Sequence, residues 1–210
     1  MIDFYIGIDP SINSSGVTCL AYEDNKLVKQ MFYIIKPDKL TKRESKAEDE
    51  FIQMFQYIIY EKPEYDKENN HEVEYYKTLI LKDILLEIET CIKKFIKSLV
   101  GEHGLYNLYV CQEGISYGSS IRTKSVFDLA GLNFLLRMMI IDKLKPTYYI
   151  IATPSEIKKK TSGNGNCKKE VMISLFAGLY PDFKLPKLDD IADSFWMASY
   201  IKYMHEENLI

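Results

Sequence analysis

The feature that most constrains this chain is a short apolar run near its start, Phe4 to Pro10, which contains one carboxylate, Asp9. A run of this length that ends at a proline is typical of a strand buried on both faces of a sheet. A carboxylate is rarely fully buried without a partner. We therefore expect Asp9 either at the exposed end of the strand or beside a cation, although an ordinary turn aspartate before Pro10 stays open as an interpretation.

Length and composition are those of a soluble globular protein. The 210 residues are 47% hydrophobic and 27% charged, which is enough for a sizeable core, and we treat residues 1–210 as one domain. No apolar run approaches the roughly 20 residues of a membrane span, so no membrane partner is expected. The four cysteines lack metal-ligand spacing and resemble reduced thiols, which favours the cytoplasm. The net charge of −3 argues against a wholly basic nucleic-acid binder but permits local basic patches.

Hydrophobic periodicity predicts a mixture of strands and helices. Three apolar segments joined by short turns begin the chain and suggest an antiparallel meander, and two later strands are expected at 108–113 and 148–152. A capping box at Thr41 and apolar residues at helical spacing to about residue 60 predict an inserted helix in the region 38–75. The order of elements indicates an α/β fold with a mixed five-stranded sheet flanked by helices.

Three further carboxylates occur where they could meet Asp9. Glu113 ends the fourth predicted strand. Asp190 and Asp193 are three residues apart and share one face of the last helix, which Asp189 is expected to cap. Four convergent carboxylates would hold two Mg²⁺ or Mn²⁺ ions about 3.5–4 Å apart, an arrangement used for phosphodiester cleavage. A solvated acidic first turn explains the last helix as well, so spacing alone leaves both interpretations open.

Four motifs resemble, in their order, those of RuvC-type Holliday junction resolvases, which belong to the ribonuclease-H-like nuclease superfamily. They are Gly7-Ile8-Asp9-Pro10 followed by Gly16, the strand-ending Glu113, the segment Pro154 to Val171, and Asp190-Ile191-Ala192-Asp193. The third motif is the most specific, because it is similar without gaps to the family's P-x-E-V-K-K … G-N-G … K-E-x-V segment. The resemblance covers the chain except for roughly residues 38–75.

The resemblance implies a ribonuclease-H-like fold and a Mg²⁺-dependent endonuclease, in which Mn²⁺ is able to replace Mg²⁺. Such an enzyme cuts four-way (Holliday) or other branched DNA junctions, leaves 5′-phosphate ends and works as a homodimer, whose two-fold axis suits the symmetry of a four-way junction. The family's metal-binding and catalytic acids correspond to Asp9, Glu113, Asp190 and Asp193, and its catalytic lysine corresponds to Lys158.

Further residues are expected to contact DNA, because ammonium and guanidinium groups bind backbone phosphates. They are Arg122, Lys124, Lys159, Lys160, Lys168 and Lys169, with Tyr117 as a base-stacking residue. Solvated helix ends and an ordinary polar loop would explain the same charges. The chain departs from the family at Ser11, where glycine is usual, and at Ser116, where an aromatic residue is frequent; Tyr117, one position on, is the candidate replacement.

Two other functions stay open from the sequence. One is a catalytically inactive protein that binds DNA junctions. The other is a fragment of an actin-like or sugar-kinase-type ATPase, whose first strand also carries an aspartate, although 210 residues are too few for the two halves of that fold. A composition rich in Ile, Lys, Tyr and Asn suits an AT-rich phage or other viral genome, and a viral member would act in the host cytoplasm.

Overall fold

Six strands form one mixed sheet with helices on both faces in the computed structural model, which describes residues 1–66, 68–115 and 125–210. The strands are β1 (Ile2–Asp9), β2 (Ser15–Glu23), β3 (Lys26–Pro37), β4 (Phe55–Tyr60), β5 (Tyr106–Glu113) and β6 (Tyr148–Ala152). The helices are α1 (Lys42–Phe51), α2 (Asn70–Val100), α3 (Ser125–Met139), α4 (Pro154–Ser162), α5 (Lys169–Leu179) and α6 (Leu188–Glu206). The last turn of α3 continues as a π-helix over Ile140–Leu144.

The strand order across the sheet is β4-β3-β2-β1-β5-β6. The first three strands pair antiparallel, which confirms the predicted meander, whereas β1 pairs parallel with β5 and β5 with β6. Because the carboxyl ends of parallel neighbours meet at one edge of a sheet, the last residues of β1 and β5 lie side by side. The register pairs Ile8 with Gln112, so that Asp9 and Glu113 follow at the same edge.

Alternation along β1 divides the core into two layers. Phe4, Ile6 and Ile8 pack in a layer that also contains the buried faces of α2 and α3. Tyr5 packs on the opposite face, against α6. Side chains two residues apart share a face, so Asp9 belongs to the α6 side of the sheet.

Glycines in the central strands allow α6 to lie directly on the sheet. A Cβ atom added to Gly7 would overlap the backbone of Ser194 and Ala198, and one added to Gly16 would overlap the backbone carbonyl of Asp190. The bare strand surface therefore brings the first half of α6 against the end of β1. Nearby, the buried hydroxyls of Thr18 and Ser194 are hydrogen-bonded at 2.8 Å.

The region 38–75 contains both a helix and a strand, so the predicted helix to residue 60 was wrong in its second half. The capping box at Thr41 is present, but α1 ends at Phe51 and Phe55–Tyr60 forms the edge strand β4, parallel to β3. The sheet therefore has six strands rather than the expected five. The segment is rich in aromatic and β-branched residues, which favour a strand, and the free edge of β3 supplies its hydrogen-bonding partner.

The start of α6 also differs from the prediction. The helix begins at Leu188, so Asp189 lies within its first turn and is not the cap. The residue before the helix, Lys187, adopts a left-handed conformation with φ 59° and ψ 38°. Negative charge in the first helical turn is favourable because of the helix dipole, which is why Asp189 and Asp190 are tolerated there.

The longest helix is α2, with 31 residues, and its charged residues keep it at the protein surface on one side. Within the ranges that the structure describes, none of the helices combines the length and the apolar character needed to cross a membrane.

The close approach of α6 to β1 generates a prediction about stability. Gly7→Ala should lower the free energy of unfolding by about 1–3 kcal/mol, because the added methyl group meets backbone atoms that cannot rotate away. Urea unfolding measures the change. The matched control is Gly178→Ala in α5, where a Cβ has open space and should be neutral or stabilising by up to about 1 kcal/mol. Equal effects of the two substitutions would contradict the proposed packing.

Candidate active site

The predicted acids Asp9 and Glu113 lie together at the carboxyl-terminal edge of β1 and β5. Both side chains are on the face covered by α6, since each follows the alternation of its own strand. Their carboxyl groups are close enough for the charge of Glu113 to add to the effect of burial and raise the pKa of Asp9.

The other two predicted acids approach this pair from the first turns of α6. Asp190 and Asp193 lie on one face of the helix, as the three-residue spacing predicts. The Ser14 hydroxyl in the loop between β1 and β2 donates a hydrogen bond to Asp190. The Lys169 ammonium at the start of α5 lies 2.9 Å from Asp193 and 3.2 Å from Asp189.

The predicted lysine Lys158 lies in α4, whose start is fixed by a complete capping box. The Thr153 side chain accepts a hydrogen bond from the Glu156 backbone, and the Glu156 carboxylate accepts one from the Thr153 backbone. Pro154 at the first helical position supports the same start. This capping orients α4 so that Lys158 faces the carboxylates, while Ile157 is buried beneath.

The four predicted acids, Lys158 and Lys169 surround one open cleft of about 370 Å³. Its lining combines four acids, two lysines and a small apolar wall, and consists of Asp9, Ser11, Glu113, Pro154, Ile157, Lys158, Lys169, Met172, Asp190, Asp193 and Met197. The structure thus brings together five of the residues predicted to be catalytic. Their catalytic roles stay predictions.

At the base of the cleft, burial and nearby negative charge disfavour ionisation of both Asp9 and Glu113. Burial raises the pKa of Asp9 well above its ordinary value, and the charges of Glu113, Asp193 and Asp190 raise it further. Burial also raises the pKa of Glu113. Two carboxylates that face each other in a poorly hydrated site cannot both ionise without cost unless cations compensate them.

Neighbouring groups partly compensate the negative charges of Asp190 and Asp193. Burial raises the pKa of Asp190 and of Asp193, against the opposing effects of the Ser14 hydroxyl and the Lys169 ammonium respectively. Burial lowers the pKa of Lys169, but the carboxylates of Asp193 and Asp189 raise it by more, so that this lysine is charged. The ammonium therefore neutralises part of the negative charge in the cleft.

The donor set fits a hard divalent cation in its chemistry. It offers carboxylate oxygens, the ligands that Mg²⁺ and Mn²⁺ select, with pKa values raised by mutual proximity and burial. As the side chains stand, no three Asp, Glu, His or Cys groups within the described ranges converge on one ion position. Asp193 contacts Lys169 and Asp190 contacts Ser14, so a cation at these oxygens would compete with those two partners.

The remaining predicted DNA-contacting residues lie outside the cleft lining or outside the described residues. Lys159 and Lys168 are exposed on the surface. Lys160 is also exposed, and its ammonium lies over the Tyr203 ring, 2.9 Å from the centroid. Tyr117, Arg122 and Lys124, like Ser116, fall in the segment 116–124 outside the described residues.

Three residues near the cleft were missed or misjudged in the sequence. Ser14 is one of several serines after Asp9, and nothing in the pattern distinguishes it as the partner of Asp190. Asp189 was assigned to a cap but contacts Lys169. Serine at position 11, a departure from the glycine usual in the family, causes no backbone strain, since Ser11 is not among the residues with positive φ, and its backbone amide donates to the Ser15 hydroxyl at 3.0 Å.

Comparison with solved structures identifies the fold. The chain is similar to the structure of RuvC from Thermus thermophilus, with a TM-score of 0.59, 14% identity, and coverage of 99% of this chain and 97% of RuvC. It is also similar to T. thermophilus RuvC in complex with a Holliday junction substrate, with a TM-score of 0.53, 12% identity, and coverage of 98% and 96%. A yeast mitochondrial Holliday junction resolvase, Ydc2, matches with a TM-score of 0.49, 13% identity, and coverage of 97% and 79%.

The likeness lies in the fold rather than in the sequence. No protein-family model matches the chain, and no curated protein matches it by sequence. The chain therefore has a RuvC-like fold over nearly its whole length, in agreement with the α/β fold with a mixed sheet predicted from the sequence. The six-stranded sheet contains β4 in addition to the predicted strands.

The raised pKa of Asp9 generates a prediction about stability and pH. Because folding favours the neutral form of Asp9, its contribution is favourable below the ordinary carboxyl pKa of about 3.9 and is lost as pH rises. In EDTA, Asp9→Asn should therefore unfold at a higher temperature than the wild type at pH 8, and the difference should shrink toward pH 4. Each kcal/mol of relieved repulsion corresponds to about 2–4 °C in Tm for a chain of this size.

The control for this comparison is Asp24→Asn, which changes an exposed carboxylate in the turn between β2 and β3. The Tm difference between Asp24→Asn and the wild type should not shrink from pH 8 toward pH 4 as it does for Asp9→Asn. A Tm gain for Asp9→Asn that stays constant from pH 4 to pH 8, or a loss at pH 8, would contradict the assigned repulsion.

Proposed function

We propose that this protein is a structure-selective endonuclease that hydrolyses phosphodiester bonds at four-way or other branched DNA junctions. One observation carries the proposal: four carboxylates and Lys158 surround a single cleft at the strand edge of a RuvC-like fold. The same residues match the family's motifs in the sequence. A RuvC of this fold has been solved with a Holliday junction substrate, which supports branched DNA as the ligand class.

The acids would hold Mg²⁺, with Mn²⁺ as a substitute, through Asp9, Glu113, Asp190 and Asp193. When bound, such ions lower the pKa of a coordinated water and stabilise charge on the phosphate. The burial of the acids supports this role, since uncompensated carboxylates in such a site would repel each other. The products would be 5′-phosphate and 3′-hydroxyl ends.

The two cleft lysines would bind the substrate phosphate. Lys158 faces the cleft from α4 without a described carboxylate partner within ion-pair distance, so its ammonium is available to a phosphate oxygen. Lys169 is already paired with Asp193 and Asp189. It would keep the α6 acids oriented in the free protein and exchange toward the phosphate when the substrate enters.

A homodimer is part of the proposal, because two cuts in a two-fold symmetric junction call for two symmetric sites. The outer surface of α2 and α3 supports it. Leu86, Leu135 and Met138 are exposed there, at 47%, 41% and 61%, and line an apolar groove between the helices. An apolar surface of this kind is typical of an interface between proteins.

The proposal is tested by incubating the protein with labelled four-way, Y-shaped and linear duplex DNA in Mg²⁺. We expect nicks in the branched DNA, little cleavage of the linear duplex, and a loss of at least about 10²-fold in rate in Asp9→Asn. Asp24→Asn serves as the matched control, since it also removes one carboxylate charge but lies at the opposite end of the sheet.

Three outcomes would count against the proposed activity or its assignment to this cleft. Junction binding without cleavage in either Mg²⁺ or Mn²⁺ would indicate an inactive junction-binding protein. ATP hydrolysis without DNA cleavage would indicate an ATPase instead. Cleavage that persists unchanged in Asp9→Asn would show that another site, or a contaminant, is responsible.

A further inference from the structure

A second, larger groove lies between α1 and the connection from α5 to α6. Its volume is about 880 Å³, and one wall comes from the inserted helix α1, which the RuvC-like motifs do not cover. The floor is apolar and includes the buried side chains of Phe183 and Leu185. Among the residues that the structure describes, none of those predicted from the sequence to bind DNA or metal lines this groove.

The walls of this groove are basic. Arg43 and Lys46 project from α1, and Lys184 and Lys187 from the opposite connection, and all four are exposed. Within the described ranges, none of the four forms an ion pair with a carboxylate. Four cationic side chains on two facing walls are therefore available to an anionic ligand.

Two acids also line the groove, but they reduce its positive charge only in part. Glu44 is buried and is bonded to the Lys36 ammonium at 2.7 Å. Burial raises the pKa of Glu44, but its bonds to Lys36 and Thr41 lower it by more, so Glu44 is ionised and already paired. Glu50 is exposed and is the one remaining acid in the lining. The groove thus keeps an excess of positive charge.

The groove adjoins the acidic cleft at the start of α6. Leu188 lines the groove and Asp190 lines the cleft. The first turn of α6 therefore contributes to both the groove and the cleft. Two tyrosines of the inserted strand β4 bond to the neighbouring loops. The Tyr60 hydroxyl donates to the Ile12 carbonyl in the loop after β1 at 2.8 Å, and the Tyr57 hydroxyl donates to the Pro186 carbonyl before α6 at 3.4 Å.

Lys187, on the wall of the groove, has a left-handed backbone conformation. Its left-handed backbone, φ 59° and ψ 38°, costs a residue with a Cβ about 1–2 kcal/mol that glycine would avoid. Lysine at this position places a cation on the wall of the groove, immediately before the helix that carries the α6 acids.

We propose that this groove is a second DNA-binding site, in which Arg43, Lys46, Lys184 and Lys187 contact backbone phosphates of the junction DNA. The inference rests on the proposed function and assigns a role to the inserted segment. The contacts are made to phosphates, so they contribute affinity and position rather than sequence preference.

The test measures equilibrium binding of a labelled four-way junction in EDTA, so that cleavage does not consume the DNA, at several salt concentrations. Two variants each remove two positive charges, Arg43→Ala with Lys46→Ala from one wall and Lys184→Ala with Lys187→Gly from the other. Glycine keeps the left-handed backbone at position 187. Each variant should bind about tenfold more weakly, and the slope of log K against log salt should become shallower by about 2.

The control variant also removes two positive charges, but from residues far from the groove. Lys26→Ala with Lys94→Ala changes one lysine at the opposite end of the sheet and one on α2, and both are exposed. Its affinity should stay within about twofold of the wild type. Conversely, Glu50→Lys adds a positive charge to the groove and should strengthen binding.

The experiment distinguishes failure of the groove proposal from failure of the proposed function. If the wild type neither binds nor nicks junctions, the proposed function itself fails. If the wild type binds and nicks but the groove variants behave like the control, the inference alone is overturned. Loss of affinity in only one wall variant, or equal loss in the control, would also overturn a two-walled phosphate site. Circular dichroism of each variant checks that the fold is retained.

Discussion

The structure depends on the close contact between α6 and the bare surface of the central strands. Gly7 and Gly16 let the helix backbone lie on β1 and β2 with no side chain between them. That contact brings Asp190 and Asp193 over the ends of β1 and β5, and so creates a cluster of carboxylates that is costly to ionise. Lys169 offsets this cost only in part, which leaves the cleft suited to additional positive charge. The contact that buries the helix is therefore also the contact that gathers the four carboxylates at one edge of the sheet.

Much of this arrangement follows from patterns that can be read in short stretches of the sequence. The side-chain alternation of β1 determines that Asp9 faces the same layer as Tyr5. Because β5 pairs parallel with β1, its last residue, Glu113, lies beside Asp9 and faces the same layer. The capping box at Thr41 fixes the start of α1 as predicted, and a second capping box at Thr153 fixes the start of α4. These features could be predicted because each depends on residues close together in sequence, or on a strand period that holds over the whole element.

Other features could not be predicted because they depend on tertiary partners. Phe55–Tyr60 has apolar residues at spacings compatible with a helix, and only the free edge of β3 decides that it is a strand. Asp189 looked like a cap because the turn before α6 could not be located, whereas Lys187 closes that turn in a left-handed conformation. The pairing of Ser14 with Asp190 joins residues 176 positions apart, so no local signal identifies it.

The account's central claim is that the four acids of the cleft bind divalent cations. Crystals of the protein soaked in Mn²⁺ test this claim most directly, because anomalous scattering locates the ions independently of activity. We expect anomalous density between Asp9, Glu113, Asp190 and Asp193, with Lys169 displaced from Asp193. Ordered Mn²⁺ at other surface carboxylates with none in the cleft, while Lys169 keeps its contacts, would contradict the account.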